Sequence, residues 1–152
     1  MTSGEARVTI LAPPEQVWPW VADVAKHSEW SPKPFSVEWV SGDPNALGSR
    51  YRSLGWIPGE EEHSNEGEVV ENRPFERFAL RSSDKQGSYA NTFTLETVGD
   101  TTKVTLRLEF LKINGIYAVL IPIVFPFVGK VSNRKRMVLL KAKVEGSGAR
   151  LV

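Results

Sequence analysis

Cysteine is absent from the 152 residues. Disulfides, thiolate nucleophiles and cysteine-ligated zinc or iron–sulfur centres are therefore excluded. Histidine occurs only twice, as His27 and His63, too few for a histidine-rich metal site. His63 follows Glu60, Glu61 and Glu62, but consecutive residues on a strand or loop point apart and do not converge on an ion. No metal is expected. No glycine-rich phosphate loop or dinucleotide fingerprint occurs, so no cofactor is expected either. An apolar run long enough to span a bilayer is also missing. Residues Ile116 to Gly129 carry no charge, but a crossing needs about 20 residues, and Pro122 and Pro126 interrupt this run. Excess charge of one sign is lacking too: 19 basic residues face 18 acidic ones, for a net +1. That balance gives no general attraction to nucleic acid. The first residues, MTSGEARVTI, have neither a basic start nor an apolar stretch of the secretory kind. No Asn-x-Ser/Thr sequon occurs, and a cytoplasmic protein is the expectation.

What is present is ordinary for a folded domain: 41% hydrophobic and 24% charged residues. The length suits one domain over 1–152, with its core at about 6–146. Charge is nonetheless unevenly placed. Glu60, Glu61, Glu62, Glu66, Glu68 and Glu71 form an acidic stretch, and Lys130, Arg134, Lys135, Arg136, Lys141 and Lys143 a basic one. Both read as solvated faces, with a local anion or membrane-surface contact as the alternative for the second. His27 and His63 read as surface residues, and Glu66 and Glu68 as a solvent-facing pair.

The chain opens with a strand at 7–11. Pro14 suits a first helical turn, and Val17, Trp18, Val21 and Val24 give that helix an apolar face. Pro19 should kink or shorten it. A second short helix spans about Asp23 to Glu29, followed by a rigid loop at Trp30-Ser31-Pro32-Lys33-Pro34. From 36 to 112 the pattern is mostly of period two, with turn clusters at Gly42 to Gly48, Pro58-Gly59, Asn72-Arg73-Pro74, Ser83 to Gly87 and Gly99-Asp100. Short turns between successive strands predict an antiparallel meander. Finally, Asn133, Met137, Leu140 and Val144 form one stripe of a helix ending near Gly146, with Gly146-Ser147-Gly148 as a frayed tail.

The sequence resembles the polyketide cyclase/dehydrase and START-related lipid-binding superfamily. The resemblance is carried by Val8-Thr9-Ile10-Leu11-Ala12-Pro13-Pro14-Glu15-Gln16-Val17-Trp18, by Trp30-Ser31-Pro32 and by Leu47-Gly48-Ser49-Arg50-Tyr51-Arg52. It continues through Val69-Val70-Glu71-Asn72-Arg73-Pro74-Phe75-Glu76-Arg77-Phe78 and Thr101-Thr102-Lys103-Val104-Thr105. It implies an α+β helix-grip fold: a curved antiparallel sheet of about seven strands gripping a long C-terminal helix, with two short helices after the first strand.

A cavity between sheet and helix would take a small hydrophobic molecule. Tyr51, Ser53, Ser82, Tyr89 and Asn91 are the polar residues expected to point into it, with Tyr89 and Asn91 orienting a ligand. Phe78, Leu80, Phe93, Leu106, Leu108, Phe110, Met137 and Leu140 would supply its apolar walls, and Trp30, Phe125 and Phe127 its mouth. The run 116–128 reads as a cavity wall or gate, with an exposed apolar rim as the alternative. No constellation names a reaction; Tyr89 or a buried carboxylate would be the acid or base. Three functions stay open: a ligand-binding module, a cyclase or dehydrase acting on such a ligand, and an interaction module using 116–128 against a membrane or a second copy. The molecule is read as a monomer or homodimer.

Overall fold

The computed structural model of the chain describes residues 3–57, 60–126 and 128–150, with 56, 57, 60, 61, 128 and 147–150 described as backbone only. Seven strands form one antiparallel sheet: β1 (Ser3–Ile10), β2 (Ser36–Ser41), β3 (Arg50–Ile57), β4 (Glu60–Arg73), β5 (Arg77–Asp84), β6 (Gly87–Val98) and β7 (Thr101–Ile113). Their spatial order is β1-β7-β6-β5-β4-β3-β2. Strands β2 to β7 form a meander, and β1 adds to its far edge, Ser3 opposite Glu109 and Ile10 opposite Thr102. Helix α1 (Pro14–Val21) and a 3-10 turn (Val24–Trp30) follow β1. Helix α2 (Tyr117–Val124) and the long helix α3 (Val128–Arg150) close the chain. This is the expected α+β arrangement.

Two details differ from the sequence reading, at β1 and α3, while α1 follows it. Strand β1 begins at Ser3, before the apolar alternation starts, because pairing with β7 organises the polar residues Ser3 to Glu5. Helix α1 keeps Pro19 inside it and lasts only eight residues, as short as a proline suggests. Helix α3 runs through Gly146 to Arg150. Glycine weakens a helix by about 1 kcal/mol without removing a backbone donor, so it need not end one.

The core lies between the inner face of the sheet and a cover made of α1, the 3-10 turn and α3. Ile10, Val104, Leu106, Phe78 and Phe93 of the sheet are buried against Val17, Val21, Trp30, Met137, Leu140 and Val144. The outer face is charged. Arg50 faces Glu68 and Arg52 faces Glu66, each pair also register partners, and Arg77 bridges to Glu71 at 3.2 Å. Glu66, Glu68 and Glu71 thus form a solvated ladder, whose exposed pairs each add at most about 1 kcal/mol.

The β5–β6 turn is tight. Gln86 N–H donates to Asp84 Oδ1 at 2.8 Å, and Gly87 takes a φ of 147°. A Cβ there would sit 1.9 Å from the Lys112 carbonyl oxygen, a backbone atom that cannot swing away. Gly87→Ala is expected to cost about 2 kcal/mol or more in denaturant unfolding. At Gly99, φ 62°, a Cβ meets nothing within 4 Å, so Gly99→Ala should be the milder change. Equal losses would contradict the crowding at Gly87.

Candidate functional site

The inner face of the sheet changes character along the strands. At one end its rows are apolar: Leu95 faces Val104, and Phe78, Phe93 and Leu106 form the next row with Ala6. One row on, Val69, Leu80, Asn91 and Leu108 align. The row after that is Tyr51, Gly67, Ser82, Tyr89 and Phe110, continuous across five strands. Beyond it stand Ser53, His63, Asn65 and Asp84. Period-two alternation alone puts these residues on one side, while Glu66 and Glu68 go to the other.

Two features shape the Tyr51–Phe110 row. Gly67 lies under the Tyr51 ring, where a Cβ would stand 2.1 Å from Tyr51 Cζ. Between Tyr89 and Ser88 the β6–β7 register slips, so that Tyr89 pairs with Phe110, Ser88 with Lys112, and Leu111 is extra. Such bulges bend a strand and re-aim its side chains.

At this polar end the cover stands away from the sheet and two cavities open. The first, of about 400 Å³, is lined by Val24, His27, Ser31, Phe35, Tyr51, Ser53, Gly55, His63, Asn65, Leu80, Ser82, Tyr89, Asn91, Phe93, Ser132 and Arg136. The second, also of about 400 Å³, is lined by Leu108, Phe110, Phe125, Gly129, Asn133, Asp84 and Gln86. His63, Tyr89 and Ser132 belong to both, so the two are chambers that share a wall.

That shared wall is hydrogen bonded. His63 Nε2 donates to Asp84 Oδ2 at 2.9 Å. Asn65 Nδ2 lies 3.5 Å from the same oxygen and donates to the Tyr89 hydroxyl. With its oxygen accepting from Asn65, the Tyr89 O–H is free to point elsewhere. Burial, reinforced by the Asp84 carboxylate, pushes the Tyr89 phenol above its ordinary range, so it stays protonated and can donate. Burial also raises Tyr51, whose hydroxyl is 3.5 Å from Ser82 Oγ.

The first chamber has a cationic wall. Arg136 projects from α3 with its guanidinium carbon 5.2 Å from the centre of the Trp30 ring. Burial lowers the Arg136 guanidinium to about 10, which leaves it charged at neutral pH. On the other side His27 is buried against Trp30, Phe78 and Phe93. Its Nε2–H donates to the Val21 carbonyl at 2.7 Å, and burial lowers the imidazole to about 3.

The expected site residues therefore divide. Tyr51, Ser53, Leu80, Tyr89, Asn91 and Phe93 line the first chamber. Leu108, Phe110 and Phe125 line the second. Phe78, Leu106, Met137 and Leu140 are buried core residues outside the described lining of either chamber. Trp30 is not at a mouth. It ends the 3-10 turn with no exposed surface, and its indole N–H donates to the Trp20 carbonyl at 3.2 Å. Phe127 lies outside the described residues.

The histidines are corrected as well: both are buried, because each has an internal acceptor, Val21 O or Asp84. Among the described residues of 116–128, Phe125 is the one that lines a chamber. Ile116, Val119 and Ile123 are 68%, 64% and 61% exposed, and α2 buries none of its residues. It is eight residues long with Pro122 inside it, and it touches the sheet at β7 without burying a side chain there. No helix among the described residues is long and apolar enough to cross a membrane.

Sequence reasoning missed His63, Asn65, Asp84, Ser132 and Arg136. Parity could have found the first three, since each lies two or four residues from an inward-facing neighbour. Arg136 was hidden in a basic run, although it lies three residues after Asn133 and four before Leu140, within the apolar stripe.

The family model described as "Polyketide cyclase / dehydrase and lipid transport" matches residues 1–145. None of the curated proteins matches the sequence. Solved structures do. The chain superposes on the protein TTHA0849 from Thermus thermophilus with a TM-score of 0.74 at 19% identity, covering 96% of this chain and 99% of that one. A protein from Geobacillus kaustophilus gives 0.74 at 15% identity, over 96% and 97% of the two chains. The Zhui aromatase/cyclase of Streptomyces sp. R1128 gives 0.74 at 17% identity, over 95% and 93%. At these identities the likeness is one of fold.

Proposed function

The chain belongs to the polyketide cyclase / dehydrase and lipid transport family, and from that premise we propose that it binds one small, mainly apolar molecule bearing oxygen functions. The observation that carries this reading is the graded inner face, which ends in two chambers joined at Tyr89. Leu108, Phe110 and Phe125 offer apolar surface, worth about 25 cal/mol per Å² buried before ordering costs. The Tyr89 O–H, Asn91 and Ser53 offer partners for a carbonyl or hydroxyl. A lipid, a polyketide or an aromatic or isoprenoid-like skeleton fits that chemistry.

A neutral amphiphile tests the reading. Decan-1-ol, titrated by calorimetry, is expected to bind with one-to-one stoichiometry. Leu108→Trp, which fills the second chamber, should weaken it about tenfold or more without changing the fold seen by circular dichroism. Absence of binding, or unaltered binding in the variant, would overturn the assignment.

A specific observation supports an enzyme as the second reading. The His63–Asp84 pair, 2.9 Å apart, is the usual orientation of an imidazole by a carboxylate, and it adjoins the Tyr89 hydroxyl. A cyclisation or dehydration would use the imidazole to move a proton and Tyr89 to polarise a carbonyl.

A further inference from the structure

Arg136 stands apart from the other described arginines, of which Arg81 and Arg134 are exposed to solvent. Arg7, Arg50, Arg52, Arg73, Arg77 and Arg107 each face a carboxylate at the surface. Arg136 is turned inward, and among the described residues no carboxylate pairs with it and no acceptor takes its N–H groups. Its described contact is the face of Trp30. The inward carboxylate of the site, Asp84, is already taken up by His63, Asn65 and the Gln86 N–H. Tyr89, Tyr51 and His27 share its electrostatic surroundings, the two phenols held protonated and the imidazole held neutral by burial.

A half-buried cation in a cavity wall without a counter-charge loses part of its hydration with nothing to replace it. Arg136 remains charged nonetheless, since its lowered value of about 10 still favours the cation about a thousandfold at pH 7. A guanidinium lying over an indole spends its face there and keeps its in-plane N–H fork for a planar acceptor.

The second half of the argument is direction. Gly129 and Asn133 line the second chamber, Ser132 lines both, and Arg136, one turn further along α3, lines the first. The cavity therefore runs along the helix from a cationic end at Arg136 to an apolar end at Leu108, Phe110 and Phe125. We propose that the ligand is an amphiphilic carboxylate, its carboxylate paired with Arg136 beneath Tyr51 and its tail passing Tyr89 into the second chamber. This rests on the ligand-binding reading above and narrows it to an anionic class.

The experiment compares decanoate with decan-1-ol at pH 7.5, in the wild-type chain and in Arg136→Gln and Arg136→Lys. Decanoate is expected to bind the wild-type chain at least about tenfold more tightly than the alcohol. In Arg136→Gln that ratio should fall to within about twofold of unity, whatever the substitution does to binding of the alcohol itself, and Arg136→Lys should keep part of it. Equal binding of acid and alcohol to the wild-type chain overturns the anion assignment while leaving the cavity reading intact. A ratio that survives in Arg136→Gln overturns it too. Failure of both molecules to bind overturns both. The wild-type comparison needs no variant, so it decides the matter even if a substitution impairs folding.

Discussion

Trp30→Ala is expected to lower the unfolding free energy by about 3–5 kcal/mol, the range for truncating a fully buried large aromatic. The indole has no exposed surface and holds three parts of the molecule together. It meets the Phe93 ring edge-on at 5.7 Å, lies 4.7 Å from the His27 ring, and bonds back to the Trp20 carbonyl. Its other face carries the Arg136 guanidinium. Deleting it opens a hole between the 3-10 turn and the sheet and removes the support of the Arg136 guanidinium. Each kcal/mol is worth about 2–4 °C at this size, so Tm should fall by roughly 10 °C. Trp30→Phe keeps the packing against Phe93 and loses mainly the N–H bond, for about 1–2 kcal/mol. A drop of less than about 3 °C for the alanine variant would mean that the cover is not anchored through this residue.

The second large effect is on pH dependence. His27 is held neutral: burial lowers its imidazole from 6.5 to about 3, partly opposed by its bond to Val21 O and assisted by the Arg136 charge. The unfolded chain therefore binds a proton that the folded chain refuses throughout the interval from about 6.5 down to about 3. Stability from this group is complete above 6.5 and lost as pH falls, by up to about 1.4 kcal/mol per unit. Other groups titrate in the same interval, so the informative quantity is a difference. His27→Gln can still donate to Val21 O but cannot be protonated. Its urea midpoint should decline less steeply than that of the wild-type chain between pH 6 and 4. Parallel declines would show that His27 is accessible to protons in the folded chain.

The sheet was legible because both of its determinants are local. Val104, Leu106 and Leu108 alternate with Lys103, Arg107 and Glu109, and turn residues separate each strand from the next. The order of elements and the kinds of residue at the turns then pointed to the fold. The site was legible only in part. Tyr51, Tyr89 and Asn91 lie on strands whose inward parity is fixed by large apolar neighbours. His63 and Arg136 depend on what they meet across the interior: an aspartate from β5 in one case, an indole from the 3-10 turn in the other. A charge run read along the chain gives no sign that one of its members faces inward, and the exposed course of α2 likewise depends on where α3 begins.

The pairing of β1 with β7 also bears on how the molecule is made. Ser3 must find Glu109, and Ile10 must find Thr102, while β2 to β7 each pair with a neighbour only a short turn away. The meander can zip up hairpin by hairpin, but the first strand waits until most of the chain has been synthesised. Long-range pairings of this kind bear the full entropy of loop closure before they gain any contact, and they slow folding. Helix α3 packs on β1 as well, with Lys141 Nζ donating to the Thr9 carbonyl. The last edge of the sheet and the cover over the ligand chambers are therefore expected to form together, as the final event in folding.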